Sequence, residues 1–280
     1  MMQSQYDFLA TQPVNFGCDL ARGLVSWWMI YPNRFFGGSS LRDLVGTNSG
    51  TLTNGPTWTD GPNGFGAISL ASGGTALVNA GSRVTQSTNR TLSMWVRPNA
   101  ANTTNRSLFE IADSSATVEH CYLTFGGTGT NRLAWGFQNT IGGYRTLEWT
   151  TGWAAKTWHY VVGTYDGANL TLYSDGVQVA QQAETSTPNT GSLTTCIGNV
   201  QFLSSNRPLD GSLTDVRWFT RALPAPEVAA LYDQSRRGYP NLLRRRNVVR
   251  GGFTAAPSAP GVFNAAWAQQ SNILIGGGTY

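Results

Sequence analysis

The sequence predicts an all-β fold: a two-sheet antiparallel jelly-roll sandwich with one short C-terminal helix and extended N- and C-terminal arms. Three observations carry that expectation. From residue 20 to residue 220, short β-prone runs are punctuated by clusters of Gly, Asn, Asp and Pro, the rhythm of many hairpin-linked strands. Only 12% of the 280 residues are charged, against about 25% in an ordinary soluble domain, which leaves little for long solvent-facing helices or an acidic disordered tail. Gly is abundant, at 33 residues, as frequent tight turns require.

The elements follow in order. Residues 91–97 (TLSMWVR) alternate with a period of two. Leu92, Met94 and Val96 therefore share one face, and Ser93, Trp95 and Arg97 the other. Pro98 ends the run because it has no N–H to give to a ladder. Residues 158–165 (WHYVVGTY) predict another strand, closed by Asp166-Gly167. Residues 170–173 and 177–180 flank Asp175-Gly176, and Asp-Gly between two alternating runs predicts a hairpin. Residues 212–219 (SLTDVRWF) predict a late strand. The one helix is predicted over 226–233, with Pro226 and Glu227 in its first turn. Its stripe of Val228, Leu231 and Tyr232 is expected to pack on the sandwich rim.

The body is assigned to 21–235, with an N-terminal arm over 1–20 and a C-terminal arm over 236–280. The C-terminal stretch holds Arg236, Arg237, Arg244, Arg245, Arg246 and Arg250 and no acid, so the rest of the chain is nearly neutral although the whole carries +4. It also contains Pro257 and Pro260 and a series of apolar anchors: Phe263, Trp267, Ile273, Leu274 and Ile275. Anchors of that size predict a segment that docks on a neighbour, as Tyr6, Phe8, Val14 and Phe16 do for the N-terminal arm.

Other classes are disfavoured. No apolar run approaches the ~18 residues needed to span a bilayer. Residues 1–10 lack the basic and apolar regions of a secretory signal. Cys18, Cys121 and Cys196 show no CxxC spacing, which argues against a zinc site or a disulfide framework. The Arg cluster could neutralise phosphates, but it lacks interleaved stacking residues, so nucleic acid is not the expected partner.

Several segments, in order, resemble the laminin-G-like jelly-roll family of the concanavalin A-like lectin/glucanase superfamily. They are 23–28 (GLVSWW), a loop with Asp43, 92–98 (LSMWVRP), 157–167 (TWHYVVGTYDG), 172–177 (LYSDGV) and 209–223 (LDGSLTDVRWFTRAL). The resemblance covers residues 20–235. It implies two packed antiparallel sheets used for recognition or structure, often without catalysis. It also implies a candidate Ca²⁺ site at Asp43 and Asp215, although Ala71-Ser72-Gly73 stands where the family often carries Asp-Gly. No other cofactor is expected.

Catalytic motifs are weak. The glucanases of this superfamily use Glu-x-Asp-x-x-Glu on a strand, whereas Glu110-Ile-Ala-Asp113 has the wrong spacing and Glu119 lies too far along. His120 and Cys121 are neighbours, so an unbroken strand would point them to opposite faces. No enzyme is therefore expected. A sugar-stacking surface is the stronger motif, because flat aromatic faces suit pyranose rings; the candidates are Trp135, Tyr144, Trp149 and Trp153. Trp28, Trp95, Trp158 and Trp218 fall at core-like positions instead.

The expected function is thus a non-catalytic structural or recognition protein whose arms dock on neighbouring protein subunits. By analogy of fold and composition it is similar to bacteriophage virion components, such as capsid decoration or attachment proteins, made in the host cytoplasm. The alternative is a carbohydrate-binding, lectin-like module that recognises surface glycans.

Overall fold

In a computed structural model, the alternating runs form sixteen strands among the described residues, which are 19–29, 39–62, 66–71, 73–82, 84–100, 105–113, 119–126, 131–190, 193–200 and 207–237. The first eight are β1 Leu24–Trp28, β2 Ser40–Leu41, β3 Gly50–Thr53, β4 Thr57–Asp60, β5 Gly66–Leu70, β6 Leu77–Asn79, β7 Arg90–Pro98 and β8 Arg106–Ala112. They are followed by β9 Glu119–Phe125, β10 Arg132–Gln138, β11 Tyr144–Thr150, β12 His159–Tyr165, β13 Asn169–Ser174, β14 Val177–Ala183, β15 Thr194–Ile197 and β16 Gly211–Phe219. One helix, α1 Ala225–Arg236, follows. The predicted arm anchors Arg244, Arg245, Arg246, Phe263, Trp267, Ile273, Leu274 and Ile275 lie outside the described residues. No helix among the described residues is long and apolar enough to cross a membrane.

The strands divide into two sheets. The first runs β14-β13-β12-β7-β16-β5-β4, with β1 also paired to β16; the second runs β11-β10-β9-β8-β15-β6-β3-β2. The pairings are antiparallel throughout, and chain-distant strands such as β7 and β16 lie side by side, as the predicted jelly roll requires.

The alternation of β7 sorts its side chains as expected. Leu92, Met94 and Val96 enter the core between the sheets, where they join Trp28, Phe109, Trp135 and Trp218. Trp95 points to the other face, beside Trp27, Tyr160 and Phe219. Close packing across the sheets depends on one small residue. Gly163 on β12 faces the Trp135 indole, and a Cβ there would fall inside the ring's van der Waals envelope. The same indole donates its N–H to the Thr164 carbonyl at 3.0 Å.

Helix α1 departs from expectation in its seat. It packs on the outer face of the first sheet and not on the rim: Val228 and Leu231 are buried with Trp27, Trp95 and Tyr160, and the Tyr232 ring lies 5.7 Å from Trp95. The reason is apolar area. Trp27, Trp95, Tyr160 and Phe219 make that face too hydrophobic to leave in water. The predicted first turn is present, with Pro at its start and Glu227 paired to Arg221.

Candidate functional site

The register of β8 and β9 builds an unusual cluster on the outer face of the second sheet. Glu110 pairs with Tyr122 and Ile111 with Cys121, but Ala112 pairs with Glu119. His120 is thus the extra residue of a β-bulge. Because one inserted residue reverses the alternation, Glu119 comes out on the same face as Glu110 and Tyr122, where an unbroken strand would turn it inward.

Arg207 meets both carboxylates. Its Nη2 donates to Glu110 Oε1 at 2.9 Å and to Glu119 Oε1 at 2.8 Å. Glu110 Oε2 and Arg207 Nε have no partner among the described residues. Burial pushes the Glu110 carboxyl up to about 8; Arg207 opposes the shift and Glu119 adds to it. Burial therefore favours the neutral acid at Glu110.

Beside this cluster lies an aromatic row. Gly136 on β10 sits between Tyr122 on β9 and Thr146 on β11. Its missing side chain lets the Tyr122 ring lie across β10, since a Cβ there would strike the Tyr122 hydroxyl and the Arg145 carbonyl. The Tyr122 hydroxyl reaches Thr146 Oγ1 at 2.5 Å, and its ring backs Tyr144 with centroids 6.2 Å apart. Exposure falls along the row, from 49% at Tyr144 to 7% at Tyr122 and 1% at Glu110. An open aromatic rim thus grades into a closed, charged floor. That combination can take a ligand with a flat apolar face and hydroxyl edges.

The four predicted stacking residues are split by this geometry. Tyr144 lies at the rim. Trp135 is fully buried between the sheets, held there by the gap at Gly163, and cannot stack on a ligand. Trp149 lies on the opposite face of β11 from Tyr144, packed against the core. Trp153 is buried between Phe125, at 5.6 Å, and His159, at 4.4 Å, with its N–H on Ser174 Oγ. These three close the sandwich and do not form a platform. By contrast, Trp28, Trp95 and Trp218 are buried as expected, and Trp158 is partly buried against the cluster that holds Trp95.

Asp43 and Asp215 are likewise occupied by the fold. Asp43 Oδ1 accepts the backbone N–H of Trp27 (2.9 Å), Val45 (3.1 Å) and Gly46 (3.0 Å), while Oδ2 accepts that of Asn48 (3.2 Å). Asp215 accepts the Trp27 indole N–H at 2.7 Å and the fully buried Arg217 guanidinium at 2.8 Å. The predicted Ca²⁺ pair does not fit the ion. Its oxygens are taken by donors, Arg217 already supplies the positive charge, and no group of three His, Cys, Asp or Glu suited to a metal occurs among the described residues.

A second polar cluster ties the segment before β12 to the β13–β14 turn. Asp175 Oδ2 meets His159 Nδ1 at 2.8 Å, His159 Nε2 meets Thr157 Oγ1 at 2.9 Å, and Asp175 Oδ1 accepts the Tyr160 N–H at 2.9 Å. Asp175 itself adopts a left-handed φ of 52°. With the His159 ring stacked on Trp153, this arrangement acts as a clamp.

Residues 72–229 match the family model of the concanavalin A-like lectin/glucanases superfamily. The chain belongs to that superfamily. A comparison with curated proteins found no match. Among solved structures, the superfamily member is similar to the receptor binding domain of botulinum neurotoxin D (TM-score 0.57, 15% identity, 78% of this chain and 54% of that one). It is also similar to domain 4 of an extracellular arabinanase from Geobacillus stearothermophilus, solved with arabinotriose (TM-score 0.56, 18% identity, 75% and 98%). A third is a botulinum neurotoxin D ligand binding domain in complex with N-acetylneuraminic acid (TM-score 0.55, 16% identity, 75% and 50%). At these identities the likeness is one of fold, and the chain spans about half the length of the toxin domains.

The superfamily also includes glucanases, so the convergence of Glu110 and Glu119 is chemically relevant. Retaining hydrolysis needs two carboxylates about 5–5.5 Å apart with the sugar between them. Here one Arg207 nitrogen fills that gap and bonds to both. Alternation alone does not reveal the pairing, because the bulge at His120 leaves no mark in it. The one available signal was Glu110 itself, a charge inside the apolar run 108–111 (LFEI).

Proposed function

We propose that the chain is a non-catalytic recognition module that binds a glycan on the outer face of its second sheet, around Tyr144. The observation that carries this reading is the exposed Tyr144 ring, backed by Tyr122 and bordered by the Glu110–Arg207–Glu119 cluster. An aromatic face can take the C–H surface of a sugar, while carboxylates and guanidinium edges take its hydroxyls. Related folds solved with arabinotriose and with N-acetylneuraminic acid support the ligand class. The occupation of the space between the two carboxylates by Arg207 supports binding without cleavage.

The assembly role is a second reading, favoured by the acid-free Arg run and the Phe263, Trp267 and Ile273–Ile275 anchors of the C-terminal segment. In it, the sandwich is carried on a virus particle by arms that dock on neighbouring subunits. The two readings are compatible, since an attachment protein needs both a reader and an anchor.

The test is a glycan array probed with the full chain, followed by incubation of each bound oligosaccharide with excess protein. Binding with no shorter products is the expected result. A blank array, or release of cleaved sugars, would contradict the reading.

A further inference from the structure

The charges on the proposed glycan-binding face are already matched within the protein. Arg207 shares its Nη2 between Glu110 and Glu119. On the same face Arg132 is paired with Glu148 at 2.5 Å, and on the other face of β11 Arg145 is paired with Glu184 at 3.2 Å. Segments 114–118 (SSATV), 127–130 (GTGT) and 201–206 (QFLSSN), which adjoin these strands in sequence, contain no Lys or Arg. Among the described residues of this face, the charges of Arg207 and Arg132 are therefore each already matched by a carboxylate.

The field at the rim points the same way. Burial, and after it Glu119, disfavours a negative charge at the Tyr144 hydroxyl, and Arg207 opposes this. An acidic sugar stacked on Tyr144 would lie near the Glu119 carboxylate, with the Arg207 charge already shared between Glu110 and Glu119. A neutral sugar would stack on the Tyr144 ring beside the cluster and bring no charge to be offset.

We infer that the site selects uncharged glycans and rejects sialylated or otherwise acidic ones. This inference rests on the glycan-binding reading and specifies its ligand class. It also separates the chain from its structural neighbour solved with N-acetylneuraminic acid.

The test uses the full chain and an array on which each neutral oligosaccharide is printed beside the same oligosaccharide capped with N-acetylneuraminic acid. Dissociation constants for the best pair are then measured by calorimetry at low and high salt. The neutral member is expected to bind about fivefold or more tightly than the capped one, with the gap narrowing at high salt. Glu119→Gln, which removes one charge at nearly constant shape, should narrow it further. Glu148→Gln, at a position exposed enough to leave folding intact, should act in the same direction by releasing Arg132. Equal or tighter binding of the capped member would overturn the selectivity while leaving glycan recognition standing. Binding of neither member of any pair would overturn both. A gap unmoved by salt and by both variants would assign the discrimination to shape, and would also overturn the electrostatic inference.

Discussion

Glu110 and Glu119, from neighbouring strands, each place a carboxylate oxygen within 2.9 Å of the same Arg207 nitrogen. Removing Arg207 leaves Glu110 buried beside a second acid with nothing to offset either. Arg207→Ala is expected to destabilise the fold by about 3 kcal/mol at pH 8 and by much less at pH 5, where Glu110 is protonated. Urea unfolding at the two pH values checks this, and an equal loss at both would contradict it.

The raised carboxyl of Glu110 sets the pH dependence of stability. Its folded value of about 8 lies above its unfolded value near 4.5, so between these limits the folded state holds the extra proton and stability falls as pH rises. Desolvation, with Arg90 adding to it, lowers His120 to about 4, and this opposes the fall up to pH 6.5 because the unfolded state there binds the extra proton. Stability should therefore be nearly flat from pH 4.5 to 6.5 and drop by about 2 kcal/mol between pH 6.5 and 8. Glu110→Gln should abolish the drop, which chemical denaturation across that range will show.

At Gly163, an alanine would force its Cβ against the Trp135 ring with no open space to yield into. Gly163→Ala is expected to cost about 2–3 kcal/mol in urea unfolding, as overpacking does. Gly152, whose added Cβ would meet nothing within 4 Å, is the control; Gly152→Ala should leave stability within about 0.5 kcal/mol.

Asp175 holds the clamp through His159 and the Tyr160 N–H from a left-handed backbone. Asp175→Ala loses both bonds and keeps the strained φ, and is expected to destabilise by about 2 kcal/mol. Hydrogen bonds from His159 and the Tyr160 N–H, outweighing desolvation, hold the Asp175 carboxyl below its usual value. The difference between wild type and variant should therefore be full above pH 4 and shrink as the acid protonates below it. Denaturation at pH 7 and pH 3 reads this out.

Because donors and Arg217 saturate Asp43 and Asp215, addition of millimolar Ca²⁺ is expected to leave the melting temperature unchanged. A rise that disappears in Asp215→Asn would contradict the assignment.

The sheets were legible in the sequence because β7, β12 and β16 announce themselves by alternation and the Asp175-Gly176 turn by its residues. The site was not. Alternation assigns faces only while pairing is unbroken, and the bulge at His120 reverses it between Glu119 and Tyr122. Nor does a tryptophan state which side of a sheet it faces. Trp135 and Tyr144 look equivalent in a Gly/Thr-rich stretch, but register with Gly163 turns one inward and pairing with Gln138 turns the other out. Helix α1 was visible in outline, whereas its seat depended on Trp27 and Tyr160 sharing a face, which only the assembled sheet reveals.

Binding through Tyr144 is most directly tested by titrating the best array ligand into wild type, Tyr144→Ala and Trp149→Ala under identical conditions. Tyr144→Ala should weaken affinity about tenfold or more with the melting temperature unchanged, while Trp149→Ala should bind as wild type does, whatever it costs in stability. Full affinity in Tyr144→Ala, or loss confined to a folded Trp149→Ala, would contradict the placement of the ligand on the outer face of the second sheet.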